Sequence, residues 1–265
     1  MSASTELLAE LLAAVERREP VVFATVVDSK RSVPRRPGSK MLVYGDGRIA
    51  GTIGGGEMES RVVTEALDVL STGRPRRLTY SLLDPATGDP GVCGGEVELY
   101  LEPHMPTSTI FVVGIGHVGQ AVVELASWLG YRVVAWDDRS EVVESPIRQA
   151  DGSELTVVTG PMAEVVDSEP IDAHTRVVMV TRNVSLDVDL LPPLLASPAP
   201  YIGLMGSERR WSTTRQKLAD VGVSAEELGR VHAPIGVEIA AETPSEIAVS
   251  IMAEVIRHER ADGAA

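Results

Sequence analysis

TIFVVGIGHVGQAVVELASWLGYRVVAWDDR, running from Thr109 to Arg139, is the stretch whose reading decides the fold. It opens with the apolar, largely β-branched run Ile110–Val113 and turns through Gly114, Gly116 and Gly119. It continues as a helical segment from His117 and closes on a second β-branched run, Arg132–Trp136, followed by Asp137. A G-x-G-x-x-G pattern alone carries little weight. Set between a strand and a helix, with an acid at the end of the next strand, it is the fingerprint of a Rossmann-type βαβ unit. Gly114 permits the tight turn, Gly116 lets backbone approach a phosphate, and Gly119 lets the helix pack on the strand. The helix start at His117 supplies unpaired N–H groups and positive potential for an anion. Asp137 stands where an acid accepts a ribose hydroxyl, which favours NAD over 2′-phosphorylated ligands, while Arg139 beside it pulls the other way. A Rossmann domain that holds no ligand would carry the same glycines.

Downstream, further strands are expected at Leu155–Val158, Val177–Val180 and Tyr201–Leu204, mostly separated by helical segments, as a parallel doubly wound sheet requires. The final helix has the clearest start in the chain. Thr243 suits an N-cap, Pro244 the first helical position, and Glu246 completes a T-x-x-E capping box, with Ile247, Ile251 and Val255 following on one face. Upstream the pattern differs. Leu7, Leu8, Leu11, Leu12 and Val15 recur at helical spacing, and Val21–Val27 reads as a buried strand. KMLVY and RIAGTI flank the turn Gly45–Gly47 as a hairpin, and Glu57–Leu70 is helical. RRLTYSLL and EVELYLEP add two strands, the second alternating Val97, Leu99 and Leu101 against Glu96, Glu98, Tyr100 and Glu102. Pro103–Ser108 reads as a linker. The expected architecture is therefore α/β: a small N-terminal α/β domain over 1–104, followed by a Rossmann-type domain with a doubly wound parallel sheet over 109–265.

Three segments outside the fingerprint could meet an anion. Lys30, Arg31, Arg35, Arg36 and Lys40 are concentrated in one loop that also holds Ser39, stiffened by Pro34 and Pro37. That is either a phosphate or carboxylate clamp or a solvated surface turn. Gly54, Gly55 and Gly56, followed by Glu57 at a helix start, form either an anion cradle or a turn that only needs positive φ. In GLMGSERRW, Gly206 and Ser207 end a strand and start a helix whose first turn carries Arg209 and Arg210, at the carboxyl edge where ligands bind in such sheets. Cys93 and Gly94 lie in PGVCGGE. The acidic neighbours Asp89 and Glu96 disfavour a thiolate there, so a passive cysteine and a working one both remain open.

The net charge of −14 argues against a general nucleic-acid binder. One cysteine excludes an intramolecular disulfide framework or a cysteine-based zinc site. The five histidines show no metal spacing, and no G-x-S-x-G elbow is present. With no signal-peptide pattern and no apolar run of membrane-spanning length, the expectation is a soluble cytoplasmic protein.

Several segments together resemble the xanthine dehydrogenase accessory factors of the XdhC/CoxI type. They are SVPRRPGSKMLV, GRIAGTIGGGEMES, GVCGGEVELYLEP, the fingerprint stretch, YIGLMGSERR and HAPIGVEIAAETPSEIAVSIMAEVI. The resemblance implies a chaperone that binds molybdenum cofactor, protects it during sulfuration by a cysteine desulfurase and inserts it into a molybdenum hydroxylase subunit, often as a homodimer. On that reading the chain is a cofactor-insertion protein rather than a conventional enzyme. The residues matching the family's motifs are Pro34–Ser39, Gly54–Gly56, Cys93–Gly95, Gly114–Gly119 and Pro234–Thr243. The chain departs from the family pattern at Glu57, where a cysteine is common, at Arg182, where a histidine is common after Thr181, and at Ala240, which replaces a glycine. The alternatives from the residues alone are an NAD(P)-dependent oxidoreductase, which lacks an identifiable hydride-transfer partner, and a nucleotide-binding regulatory protein.

Overall fold

In the computed structural model, residues 3–31, 33, 35–81, 95–139, 155–169 and 171–262 are described. The chain divides into two compact units, Met1–Pro106 and Thr107–Asp262.

The first unit contains α1 (Ala3–Glu16), β1 (Val21–Lys30), β2 (Lys40–Tyr44), β3 (Ile49–Gly51), α2 (Gly56–Thr72), β4 (Arg76–Ser81) and β5 (Glu96–His104). Its sheet is antiparallel, in the order β3-β2-β1-β5-β4. The apolar run of β1 has no polar alternation because both faces of that strand are covered. Val22, Ala24 and Val26 meet Met58, Val62, Ala66 and Val69 of α2, whereas Val21 and Phe23 group with Leu7 and Ala14 of α1. Strand β5 keeps the expected alternation, with Val97, Leu99 and Leu101 buried. The apolar stripe of α1 is narrower than the sequence suggests. Leu7, Leu11 and Ala14 pack inward, but Leu8, Leu12 and Val15 are 52%, 59% and 50% exposed. Each lies one residue further on, and about 100° of helical rotation carries it away from the sheet.

The second unit contains β6 (Thr109–Val113), α3 (His117–Trp128), β7 (Arg132–Trp136), β8 (Thr156–Val158), α4 (Met162–Ser168), β9 (Thr175–Met179), α5 (Val184–Ala196), β10 (Tyr201–Leu204), α6 (Glu208–Asp220), α7 (Ala225–Gly229), β11 (Val231–His232) and α8 (Pro244–Asp262). All strand pairs are parallel, in the order β11-β10-β9-β6-β7-β8. In chain order within this unit that is 6-5-4-1-2-3, the Rossmann arrangement, with its reversal point between β6 and β9. Phe111, Val113, Val177 and Met179 face α4 and α5, while Ile110, Val112 and Val178 face α3 and α8. Helices thus cover both faces, as the doubly wound expectation requires. The capping box forms at Thr243, whose hydroxyl accepts the Glu246 N–H at 3.3 Å while Glu246 accepts the Thr243 N–H at 2.9 Å. At the other end of α8, Glu259 accepts from the Ser108 hydroxyl and, at 2.7 Å, from the Tyr131 hydroxyl, with Arg176 3.8 Å away. Burial and the Glu259 carboxylate push the Tyr131 phenol up to about 12. Among the described residues no helix is long and apolar enough to cross a membrane.

Candidate functional site

The glycine turn between β6 and α3 is built by close approach. A Cβ on Gly119 would lie 2.0 Å from the Gly114 carbonyl oxygen, so only glycine lets α3 start there. Gly114 holds φ at +102°, and a side chain on it would press on the Val180 carbonyl at 3.0 Å. The turn is therefore wedged against the end of β9, at the reversal point. Gly116 is the N-cap of α3 and supplies no side-chain cap, and His117 is exposed in the first turn.

Beside this turn lies a cleft of about 90 Å³, lined by Gly114, Gly116, Trp136–Arg139, Val180–Arg182 and Leu186. Asp137 is 2% exposed and both of its oxygens are engaged. Oδ2 accepts the Ile115 N–H at 2.7 Å and Arg139 Nη2 at 2.8 Å; Oδ1 accepts the Arg139 N–H at 3.0 Å and Nε at 2.8 Å. Burial alone would raise this carboxyl, but the Arg139 guanidinium and the two backbone N–H groups hold it below the usual aspartate range. Across the cleft Arg182 donates to both oxygens of Asp138, at 2.7 and 2.6 Å, and holds that carboxyl low as well. Two arginines thus stand at the mouth, each paired with an acid.

Behind Arg182 sits a buried network. Arg210 of α6 donates to Asp187 at 2.9 and 2.7 Å, to the Thr181 carbonyl at 3.0 Å and to the Thr181 hydroxyl at 2.8 Å. The Thr181 hydroxyl also bonds Asp187, which is fully buried. Ser207 caps α6 by accepting the Arg210 N–H at 3.2 Å. A Cβ on Gly206 would fall 2.9 Å from Arg210 Cδ, so that glycine makes room for the arginine stem. Arg209, the other arginine of this turn, is exposed and does not line the cleft.

In the first unit a larger cavity, about 400 Å³, is lined by Leu7, Arg35–Lys40, Gly51 and Thr52. Its loop is pinned to β1 by Gly38 N–H to the Val26 carbonyl at 2.8 Å and Val26 N–H to the Ser39 carbonyl at 2.9 Å. The Ser39 hydroxyl is turned back to the Arg36 carbonyl at 2.9 Å. Lys40 Nζ donates to the Thr25 hydroxyl at 3.0 Å and lies 4.9 Å over the Phe23 ring. Arg35 and Arg36 are exposed, both line the cavity, and neither makes an ion pair among the described residues.

Gly54 and Gly55 do form a cradle with positive φ, and the chain supplies its occupant. Glu59 Oε1 accepts the N–H groups of Ile53, Gly54 and Gly55 at 3.0, 3.2 and 2.8 Å, and the Thr52 hydroxyl at 2.5 Å. Burial opposes the charge on Glu59, but these donors outweigh it and hold the carboxyl below the usual glutamate range. Gly56 is the first residue of α2, and Glu57 is exposed on its first turn. Cys93 and Gly94 lie outside the described residues, as does Pro34. Among the described residues no group of three or more His, Cys, Asp or Glu side chains could hold a metal ion.

The structure thus brings Gly114, Gly116, Asp137 and Arg139 to one cleft, and Arg35, Arg36 and Ser39 to a separate cavity. Sequence reasoning missed Glu59, Asp138, Thr52 and Asp187. A signal for Asp187 existed, since it shares a helical face with Leu190, Leu191 and Leu194, an unusual place for a lone acid.

A family model described as the XdhC Rossmann domain matches residues 110–255, and one described as the XdhC and CoxI family matches residues 14–81. The chain belongs to the XdhC/CoxI family. Among its curated relatives, this XdhC/CoxI chain is 33% identical over 247 residues to the uncharacterized protein YqeB of Escherichia coli (strain K12), an alignment covering 91% of the chain and 44% of YqeB. It is 25% identical over 263 residues to the molybdenum cofactor insertion chaperone PaoD of the same organism, covering 88% of the chain and 82% of PaoD. It is 26% identical over 159 residues to a probable xanthine dehydrogenase subunit of Bacillus subtilis (strain 168), covering 60% of this chain and 45% of that relative. The chain therefore spans less than half the length of two of these three relatives. A solved structure described as a xanthine dehydrogenase from Bacillus halodurans shares its fold, with a TM-score of 0.50 and 22% identity over 98% of this chain and 96% of that one.

Proposed function

We propose that this XdhC/CoxI chain is an accessory protein that binds molybdenum cofactor as cargo and inserts it into a xanthine dehydrogenase-type molybdenum hydroxylase. Family membership and the similarity to PaoD support the insertion role. The observation that carries the binding half is the cavity at Arg35–Lys40. In a chain of net charge −14 it gathers Arg35 and Arg36, on a loop pinned to β1, with Lys40 at the start of β2, and neither arginine has an ion-paired carboxylate among the described residues. Molybdopterin ends in a phosphate, and two guanidinium groups with a lysine form a fork suited to phosphate oxygens. Ser39 contributes by shaping the loop through its bond to Arg36. The reading implies a cytoplasmic site of action, a cysteine desulfurase and a molybdenum hydroxylase as partners, and a homodimer as the working form.

The test is cargo retention. The protein is purified from cells that make molybdenum cofactor, and bound pterin and molybdenum are quantified beside R35A, R36A and the double variant. Charge-assisted hydrogen bonds of this kind are worth about 1.5–3 kcal/mol each, so each single variant is expected to bind cargo roughly 10- to 150-fold more weakly and to retain correspondingly less of it. Wild-type protein that retains neither pterin nor molybdenum, even with added cofactor, overturns the reading.

A further inference from the structure

A Rossmann domain takes a nucleotide by presenting an open carboxylate to the ribose diol beyond the glycine turn. Asp137 has the right place in the fold but not the required freedom. Arg139 closes on it with Nε and Nη2 at 2.8 Å each, its own N–H adds a third bond at 3.0 Å, and the Ile115 N–H a fourth at 2.7 Å. The side chain of Asp137 is 1% exposed, and that of Arg139 is 38% exposed, so Arg139 covers the carboxylate from the solvent side. The cleft that remains, about 90 Å³, has room for roughly three waters, whereas sites for small organic ligands run from about 300 Å³ upward.

We infer that Arg139 is a specificity-determining lock: it occupies the ribose seat at Asp137 and shuts this cleft to nucleotides that need a carboxylate for their vicinal diol. A diol entering there must displace a guanidinium held by charge-assisted bonds, and its neutral hydroxyls make weaker bonds to the same oxygens. Selectivity thus comes from a group built against the unwanted ligand rather than for a wanted one. The Ile115 N–H on Oδ2 and the main-chain N–H of residue 139 on Oδ1 both remain when the Arg139 side chain is removed, so the carboxylate keeps its orientation while each oxygen loses one guanidinium donor and can accept from a hydroxyl. This lock belongs to the second unit and does not rest on the cargo reading, whose test uses arginines of the first.

Calorimetric titration with ADP and with 2′,3′-dideoxy-ADP tests it. Wild-type protein is expected to show no saturable ADP binding up to millimolar concentration. R139A is expected to gain ADP affinity by about tenfold or more, the value of one charge-assisted hydrogen bond, and to gain none for the dideoxy analogue. D137N/R139A is expected to lose what R139A gained. R139K keeps the positive charge without the two-pronged grip, so it safeguards against a misfolded R139A and is expected to show a smaller gain. Wild-type protein that binds ADP as tightly as the variants, or a folded R139A and R139K that gain nothing, overturns the assignment.

Discussion

Replacing Arg210 by methionine removes a guanidinium that is shared by Asp187 and Thr181 and leaves Asp187, fully buried, without its counter-ion. Arg210 is itself 18% exposed, so water reaches the pair poorly and little screening softens the loss. Removing one partner of a buried pair costs about 3–5 kcal/mol, because the remaining charge stays desolvated. For a unit of this size that corresponds to a fall in Tm of roughly 6–20 °C. The assay is simple, because Trp128, Trp136 and Trp211 all lie in Thr107–Asp262. Tryptophan fluorescence during urea or thermal unfolding therefore reports this unit alone. The double variant R210M/D187L removes both charges and is expected to recover most of the loss, although the Thr181 carbonyl remains without its Arg210 donor. A loss below about 1 kcal/mol in R210M, or a double variant as unstable as the sum of the single ones, refutes the buried-pair reasoning.

Gly119→Ala places a Cβ 2.0 Å from the Gly114 carbonyl oxygen, which only a backbone shift can relieve. The expected cost is about 1–3 kcal/mol, read by the same fluorescence, and an unchanged Tm would show that the helix does not approach the strand so closely. Acid pH should weaken both units. Glu59, Asp137 and Glu259 are all held below their ordinary values in the folded chain, so they bind protons more weakly than when unfolded. The stability they lend is whole above the ordinary carboxylate range, 4.5 for glutamate, and is lost as pH falls through the folded values. E59Q should flatten the acid limb of the first unit's stability curve, followed by far-UV circular dichroism, and an unchanged limb would show that Glu59 carries no such linkage.

The fold was legible wherever one residue pattern sufficed. The fingerprint glycines, the β-branched strands and the T-x-x-E start of α8 each act within a few residues, and physical expectation matched them directly. Strand β11 escaped because Val231–His232 is too short to show a period. The site was less legible because its charges are spent on one another. Sequence neighbours made Arg209 and Arg210 equivalent, yet helical phase separates them: Arg210 shares a face with the buried Thr214 and Leu218, and Arg209 points to solvent. The glycine triplet left a cradle and a simple turn both open, and that Glu59 fills the cradle depends on how α2 starts, which folding decides. Likewise Asp137 was recognisable as the acid of the fingerprint, while its capture by Arg139 is a matter of side-chain direction that spacing does not encode.

The hold of Glu259 on Ser108, Tyr131 and Arg176 has a practical bearing on how the chain can be handled. It ties the far end of the last helix to residues at the entrances of β6, β7 and β9, so α8 is fastened at both ends, by its capping box and by this knot. A label attached beyond Asp262 leaves the fastening whole. A proteolytic cut or deletion only four residues earlier removes Glu259 and leaves the half-buried Tyr131 hydroxyl and Arg176 without that carboxylate at the base of the sheet, so the tolerance of this chain to trimming ends abruptly rather than by degrees.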